Sequence, residues 1–242
     1  MVPVGTRALR RCALVVALIG TGPVAAEDLQ LQPGAAAGDI AAMAKDLSAA
    51  YAYKAVGPAE AFGTVGFGIG TFATRVGVDD EGAWQRAGGT DTDTLYAYGL
   101  RARKGLPLGI DVSAFYADVP SSDARVIGGA LQYALLEGSA VTPGVAVRAG
   151  YSRLDGINDF DFDALSLDAT VSKGFAILTP YAGVGYVRGE IDPKVGTLDR
   201  ESVDRARVFG GMRVSLGLLD ITPEIEQSGG STVANLRLGV TL

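Results

Sequence analysis

The chain has 242 residues, 21 basic side chains against 27 acidic ones for a formal net charge of −6, 34 Gly and no His. Glycine at about 14% is twice the usual share of roughly 7%; these glycines follow no three-residue period, which excludes collagen, and aliphatic residues recurring throughout exclude a disordered chain. Without imidazole there is no serine hydrolase using a His base, no His-ligated zinc and no haem held by a proximal His, so no cofactor and no metal are expected.

Arg7, Arg10 and Arg11 precede the apolar run Ala13–Ile19, and Val24-Ala25-Ala26 ends on small residues. This is the pattern of a secretory signal peptide over residues 1–26, cleaved after Ala26. The apolar run is far shorter than the roughly 20 residues a spanning helix needs. Cys12 stands ahead of that run, where it cannot serve as a lipoprotein cysteine. Removing 26 of 242 residues leaves 216, and takes three of the 21 basic residues, leaving 18 against 27 acidic ones for a net charge of −9. The exported chain carries no cysteine, so it enters an oxidising compartment without using disulfides, and its acidity argues against a nucleic-acid partner.

Residues 27–62 read as a linker and one helix. After the Pro/Gly/Ala stretch 32–38, Ile40, Met43, Ala44, Leu47 and Tyr51 recur at helical spacing, predicting a helix over 39–51 with Asp39 as its N-cap. Two placements are open for this lead: a plug within or below the following domain, or an amphipathic segment in the periplasm.

From about Thr64 onward apolar residues recur at period two in ten segments of roughly 10 to 15 residues, which predicts strands. The glycines of Gly66-Phe67-Gly68-Ile69-Gly70 sit inside the first of them. No helix follows, so they do not form a nucleotide-binding loop; they thin one strand face for another backbone or the N-terminal segment to approach. The clearest strand is 106–119, with Leu108, Ile110, Val112, Ala114 and Tyr116 on one face and Gly109, Asp111 and Ser113 on the other. Short turns at 104–107, 137–142, 174–180 and 217–223 alternate with more polar loops at 79–93, 118–123, 155–163, 190–204 and 227–231. That alternation is the up-and-down meander of a closed antiparallel transmembrane β-barrel of all-β class, ten strands within a range of 8 to 12, over residues 63–242. A soluble barrel or sandwich of the same period competes with it. Segment length and tyrosines near the ends of apolar faces (Tyr96, Tyr116, Tyr151, Tyr186) favour the membrane.

The final residues Ala234, Leu236, Leu238, Val240 and Leu242 alternate up to the carboxylate. With the signal peptide, this resembles the Gram-negative outer-membrane β-barrel proteins of the small outer-membrane protein A-like and W-like class. The resemblance implies residence in the outer membrane, contact with its lipid and lipopolysaccharide, and recognition of the C-terminal strand by the barrel-assembly machinery. The enzymes of that class rely on His, so their activities do not carry over; no catalytic residue is assigned.

Two constellations stand out. Asp155, Asp159, Asp161 and Asp163 lack the Gly and Glu that an EF-hand loop places at its sixth and twelfth positions, leaving a solvated acidic loop or a weak cation contact. Arg101, Arg103, Arg148, Arg205, Arg207, Arg213 and Arg237 fall on polar strand faces, with Asp111, Asp168, Glu224 and Glu226 as partners. Facing lipid, each Arg would cost about 2 to 4 kcal/mol at the midplane, so they should line the lumen. Pairing of Arg205, Arg207 and Arg213 with Glu224 and Glu226 is expected, since their strands are sequential neighbours. If the charges neutralise one another the barrel is plugged; if arginines stay unpaired they line a narrow anion-selective pore. The reading is a monomeric, non-enzymatic barrel, porin-like or structural, with a charged and largely filled lumen. The alternative is a surface-interaction protein or a conduit for small hydrophobic molecules through loops or lateral wall.

Overall fold

The computed structural model describes residues 30–242 except positions 121 and 140. The expected signal peptide lies outside the described residues. One helix, α1 (Ala37–Tyr51), precedes ten strands: β1 (Phe67–Gly77), β2 (Thr94–Gly105), β3 (Ile110–Asp118), β4 (Arg125–Glu137), β5 (Gly144–Asp155), β6 (Phe160–Ser172), β7 (Leu178–Pro193), β8 (Glu201–Leu216), β9 (Leu219–Ser228) and β10 (Ser231–Thr241). Each strand pairs antiparallel with the next, and β1 closes on β10 in a register running from Gly68 opposite Thr241 to Val76 opposite Val233. Phe67 and Leu242 exchange backbone hydrogen bonds at 2.9 and 2.8 Å, so the seam is sealed to the last residue. Closure leaves no unpaired edge, the condition for a sheet in hydrocarbon.

Four details differ from the sequence expectation. The loops expected over 155–163 and 190–204 shrink to 156–159 and 194–200, because β6 starts at Phe160, β7 runs on to Pro193 and β8 starts at Glu201, their charged residues lying on the outer strand face. The strand expected over 106–119 begins only at Ile110: Pro107, which has no N–H to give a ladder, opens a one-turn 3₁₀ segment in which Leu108 takes a left-handed φ of 65°. Asp39 does not cap α1. The helix starts two residues earlier, Ala36 holds the capping position without a side-chain bond, and Asp39 lies in the first turn bound to Arg86. Finally, the 78–93 connection carries a short helix of its own, α2 (Glu81–Ala83), running into a π-turn at Trp84–Gly88.

The connections at the end where β1 begins and β10 finishes span 106–109, 138–143, 173–177 and 217–218; those at the opposite end span 78–93, 119–124, 156–159, 194–200 and 229–230. We call these the turn end and the loop end. The contrast in length is carried mainly by 78–93 and 194–200, while Gly229-Gly230 is a two-residue turn.

The lead occupies the lumen. At the loop end Leu31 N donates to Asp159 Oδ2 at 3.0 Å, and Gln32 N donates to the Ala87 carbonyl at 2.7 Å. Helix α1 then packs against β1, β2, β5–β8 and β10, strands on opposite sides of the ring. Residues 52–62 continue toward the turn end, where Phe62 N donates to Asp111 Oδ1 at 3.1 Å before the chain turns into β1. Gly189 and Gly150 make this passage possible: a Cβ there would strike Ser48 and Tyr53 respectively. The Gly66 and Gly68 positions of the early glycine run are likewise occupied by Phe62, so the thinned face receives the N-terminal segment.

The barrel is stacked in two zones, visible along a single strand. In β6, Phe160, Phe162 and Ala164 point inward and are buried, with Asp161 and Asp163 outside; below them the phase of polarity reverses, with Ser166, Asp168 and Thr170 buried inside and Leu165, Leu167 and Val171 exposed outside. The upper zone is a sleeve with an apolar interior: Val76, Leu95, Val126, Leu154, Ile191, Val203 and Val233 surround Ile40, Met43 and Leu47 of α1, with Trp84 beside them. Its outer face carries ion pairs such as Arg153–Asp155, Lys194–Asp161 and Arg200–Asp192. The lower zone is apolar outside. Tyr116 and Tyr151, whose hydroxyls reach Asp118 and Asp163, sit where the two zones meet.

Candidate functional site

The lower lumen is where most of the chain's buried charge converges. Inward positions on successive strands supply the charged groups, because period-two alternation with apolar residues outside leaves only the inner face for them. Segment 52–62 runs through their midst.

Asp168 accepts two bonds from Arg207, at 2.8 and 2.7 Å, and lies 3.8 Å from Arg148. Two parallel N–H donors on one carboxylate form the strongest geometry available to an ion pair. Glu226 is held by Lys54 of the lead at 2.9 Å and by Arg207 at 3.7 Å. Glu224 accepts from the Tyr181 hydroxyl at 2.7 Å and from Asn235 at 3.0 Å. Nearer the turn end Arg103 binds Asp111 at 2.6 Å and the Glu60 carbonyl at 3.0 Å, with its guanidinium 4.3 Å from the Phe62 ring centre. Arg213 binds Glu60, and Arg237 binds Asp220. Arg101 donates to the carbonyls of Lys54 and Ala55 and lies 4.9 Å from the Tyr53 ring centre. Gln132 bridges Arg148 and the Ala59 carbonyl.

All eleven charged residues assigned to the lumen from sequence therefore face it: Arg101, Arg103, Asp111, Arg148, Asp168, Arg205, Arg207, Arg213, Glu224, Glu226 and Arg237 are in or against the filled interior. Their partners differ from expectation. Of the pairs expected between β8 and β9, only Arg207–Glu226 forms, at 3.7 Å. Register explains this: Glu226 stands opposite Phe209, and Glu224 opposite Gly211, so neither faces an arginine directly. Arg213 turns to Glu60, while Arg205, above the end of the β9 ladder, reaches Asp79 at 3.5 Å and Asp46 at 4.0 Å.

Asp46, Lys54 and Glu60 on the lead and Asp220 on β9 escaped the sequence reading. Asp46 is the most consequential. Fully buried in the sleeve, it accepts from Trp84 Nε1 at 2.9 Å, from Asp79 N at 3.2 Å and from Ser231 Oγ at 3.2 Å, tying helix, loop and strand together. A carboxylate between Met43 and Leu47 on the otherwise apolar face was the available signal.

The acidic run is not gathered. Asp159 accepts the Leu31 amide, Asp161 pairs with Lys194 at 2.8 Å, Asp155 with Arg153 at 3.1 Å, and Asp163 takes the Tyr151 hydroxyl. Among the described residues no group of three or more His, Cys, Asp or Glu side chains could hold a metal ion. Two lumen cavities, one lined by Tyr51, Phe72 and Phe115 and one by Arg101, Arg148 and Arg237, measure about 10 Å³ each, room for a single water-sized particle.

No family model and no curated protein matches the chain. Among solved structures it is similar to the N-terminal β-barrel domain of Pseudomonas aeruginosa OprF, with 14% identity over 74% of this chain and 99% of that one and a TM-score of 0.36. It is also similar to the translocator domain of the autotransporter NalP from Neisseria meningitidis, with 12% identity over 74% and 88% and a TM-score of 0.43. The attachment invasion locus protein Ail of Yersinia pestis matches at 16% identity over 73% and 97%, TM-score 0.32. The likeness is one of architecture, a β-barrel.

Proposed function

We propose that this chain is a non-enzymatic outer-membrane β-barrel of the structural, plugged kind, whose loop-end sleeve serves as a surface scaffold. The observation that carries the reading is the filled lumen: residues 37–62 occupy it, and cavities beside Tyr51 and Phe72 and beside Arg101 and Arg148 hold about 10 Å³ each. An open porin-like path would need a continuous water column through the ring of Arg101, Arg148, Arg207 and their partners. The pairs Arg207–Asp168, Lys54–Glu226, Arg103–Asp111 and Arg237–Asp220 also argue for closure, because an unpaired buried ion costs several kcal/mol, and Arg101 is held by the Lys54 and Ala55 carbonyls of the lead itself.

Placement in the outer membrane is supported by the leader pattern, by the exposed apolar belt that includes Leu100, Leu131, Leu167, Val184, Val208 and Ile225, and by the tyrosines above it. Lipid and lipopolysaccharide are then its surroundings, the C-terminal strand is the contact for the assembly machinery, and the monomer is the working form.

Planar-bilayer recording of the purified full chain tests the central point. A silent bilayer at moderate voltage is expected, with a heat-modifiable band on gels and recovery in the outer-membrane fraction. Discrete openings would restore the porin-like reading. Recovery free in a periplasmic extract would end the membrane reading altogether.

A further inference from the structure

We propose that the barrel presents the start of its own lead at the cell surface: residues 30–38 are part of the external face, and the lead runs inward from there through the lumen to the periplasmic side. The inference rests on the outer-membrane reading above and adds to it a topology and a display role for the N-terminal segment.

The direction of travel is fixed by successive contacts. Leu31 is bound to Asp159 in the 156–159 connection, Gln32 to Ala87 in the 78–93 connection, and Asp39 to Arg86 in the same connection at 2.7 Å, all at the loop end. Asp46 follows, held by Trp84 and Ser231. Midway down, the Tyr53 hydroxyl meets Ser113 Oγ at 2.6 Å and the Tyr53 carbonyl accepts from Arg207 at 3.0 Å. Glu60 and Phe62 complete the descent at Arg213 and Asp111, after which Lys104 takes the carbonyls of Thr64 and Gly66 at 2.7 and 3.1 Å. The order of these contacts is monotonic from one mouth to the other. The lead is not a hairpin that dips into one mouth and returns.

Which mouth is external follows from the outer surface. Short turns of transmembrane barrels face the periplasm and longer loops the outside. Here the loop end also bears the sleeve, whose charged exterior (Arg153, Asp161, Arg188, Glu190) is suited to water, whereas the apolar belt runs down toward the turn end. The lead's start is therefore on the outside. It contributes to a composite surface there: Gln30 lines a polar recess of about 330 Å³ together with Ser122, Asp123, Asn158 and Asp159. A chain exported into the periplasm reaches this arrangement only if the lead is inside the barrel before β1 meets β10, or is drawn in afterwards with its N-terminal end leading.

The test is cysteine labelling of intact cells with a membrane-impermeant maleimide, in a Cys12→Ser background that leaves the chain without other thiols. Gly34→Cys probes the lead at a position where an added Cβ meets nothing within 4 Å. Asp199→Cys in the 194–200 connection reports the loop end, and Val141→Cys, 88% exposed, reports the turn end. Labelling of Gly34→Cys at the level of Asp199→Cys is expected, with Val141→Cys reacting only after the outer membrane is permeabilised. If Gly34→Cys instead behaves like Val141→Cys while Asp199→Cys still labels, the threading is overturned and the barrel reading stands. If Asp199→Cys and Val141→Cys label alike, the membrane orientation fails and the proposal goes with it.

Discussion

The sleeve and the membrane zone are built from the same ten strands and solve opposite problems. Above the tyrosines the barrel is organised like a water-soluble protein, with Phe160, Phe162, Ile191 and Trp84 wholly buried and charges outside. Below them the arrangement is turned inside out: leucines and valines are exposed on the wall and arginines and carboxylates are sealed within. The difference shows that the solvent on each stretch of wall, rather than strand propensity, decides which alternate residues are apolar. A single strand such as β6 changes phase between Ala164 and Leu165 without a bulge, its register with β5 and β7 unbroken.

If the sleeve owes its order to an apolar core, the largest loss should come from its centre. Trp84→Ala removes a wholly buried ring and leaves Asp46 without its indole donor. Truncation of a buried aromatic costs about 3 to 5 kcal/mol. The expected outcome is selective: the loop end becomes sensitive to protease while the membrane zone keeps its strand signal in circular dichroism. Simultaneous collapse of both zones would show that they are one cooperative unit. A comparable loss belongs to the other zone. Arg207→Met takes both short hydrogen bonds from buried Asp168, leaving it only Arg148 at 3.8 Å, while Glu226 keeps Lys54; breaking one partner out of a buried pair costs about 3 to 5 kcal/mol. The temperature of gel-band conversion should fall sharply and recover in part when Asp168→Leu is added. No recovery in the double variant would mean that the arginine acts by packing rather than by charge.

The wall itself was legible from sequence because its outer face is apolar at alternate positions, the simple rule that a wall set in lipid requires. The period-two runs located the strands, and they placed seven arginines inward because the outward alternative is expensive. What remained hidden was everything the lead decides. Glu60 and Lys54 lie in a stretch without periodicity, so nothing linked them to Arg213 or Glu226, residues more than 150 positions away. The sleeve was missed for a related reason: the aspartates of 155–163 read as a polar loop, although Phe160-Asp161-Phe162-Asp163 alternates as a strand does, and alternation does not say which face is wet. That choice depends on whether α1 fills the interior, a tertiary fact. Pro107 shows the reverse case, where one residue without an N–H overrides an otherwise regular pattern.

The phase change can be probed directly with one substitution made twice on one strand. Leu167→Arg places a guanidinium on the exposed apolar wall, where the cost is about 2 to 4 kcal/mol near the midplane. Asp163→Arg makes the same addition four residues earlier on the same face, where Glu190 stands opposite in β7. There the change should stay within about 0.5 kcal/mol, as for surface substitutions generally. Denaturant titrations of both variants in the same lipid check the contrast. Equal penalties would place Asp163 inside the hydrocarbon and abolish the sleeve.

The smallest effect concerns the attachment of the lead to the loop end. The hydrogen-bonded Arg86 guanidinium holds the Asp39 carboxyl below the ordinary carboxylate range, and Asp39 in turn keeps Arg86 charged. A carboxyl with a lowered value in the folded state stabilises at pH above its unfolded value, and that contribution is lost as pH falls through the folded one. The protection of the first-turn amides of α1, taken as the exchange rate relative to the intrinsic rate at each pH, should therefore stay unchanged from about pH 8 to pH 5 and fall only below about pH 4, near the unfolded carboxylate value. Arg86→Met should remove that acid limb and leave the rest of the helix as protected as before, because Ile40, Met43 and Leu47 anchor it independently. Loss of protection already at pH 6 would assign the anchoring to another group. Loss of protection throughout α1 in Arg86→Met would show that the external contact, and not the apolar sleeve, holds the lead in place.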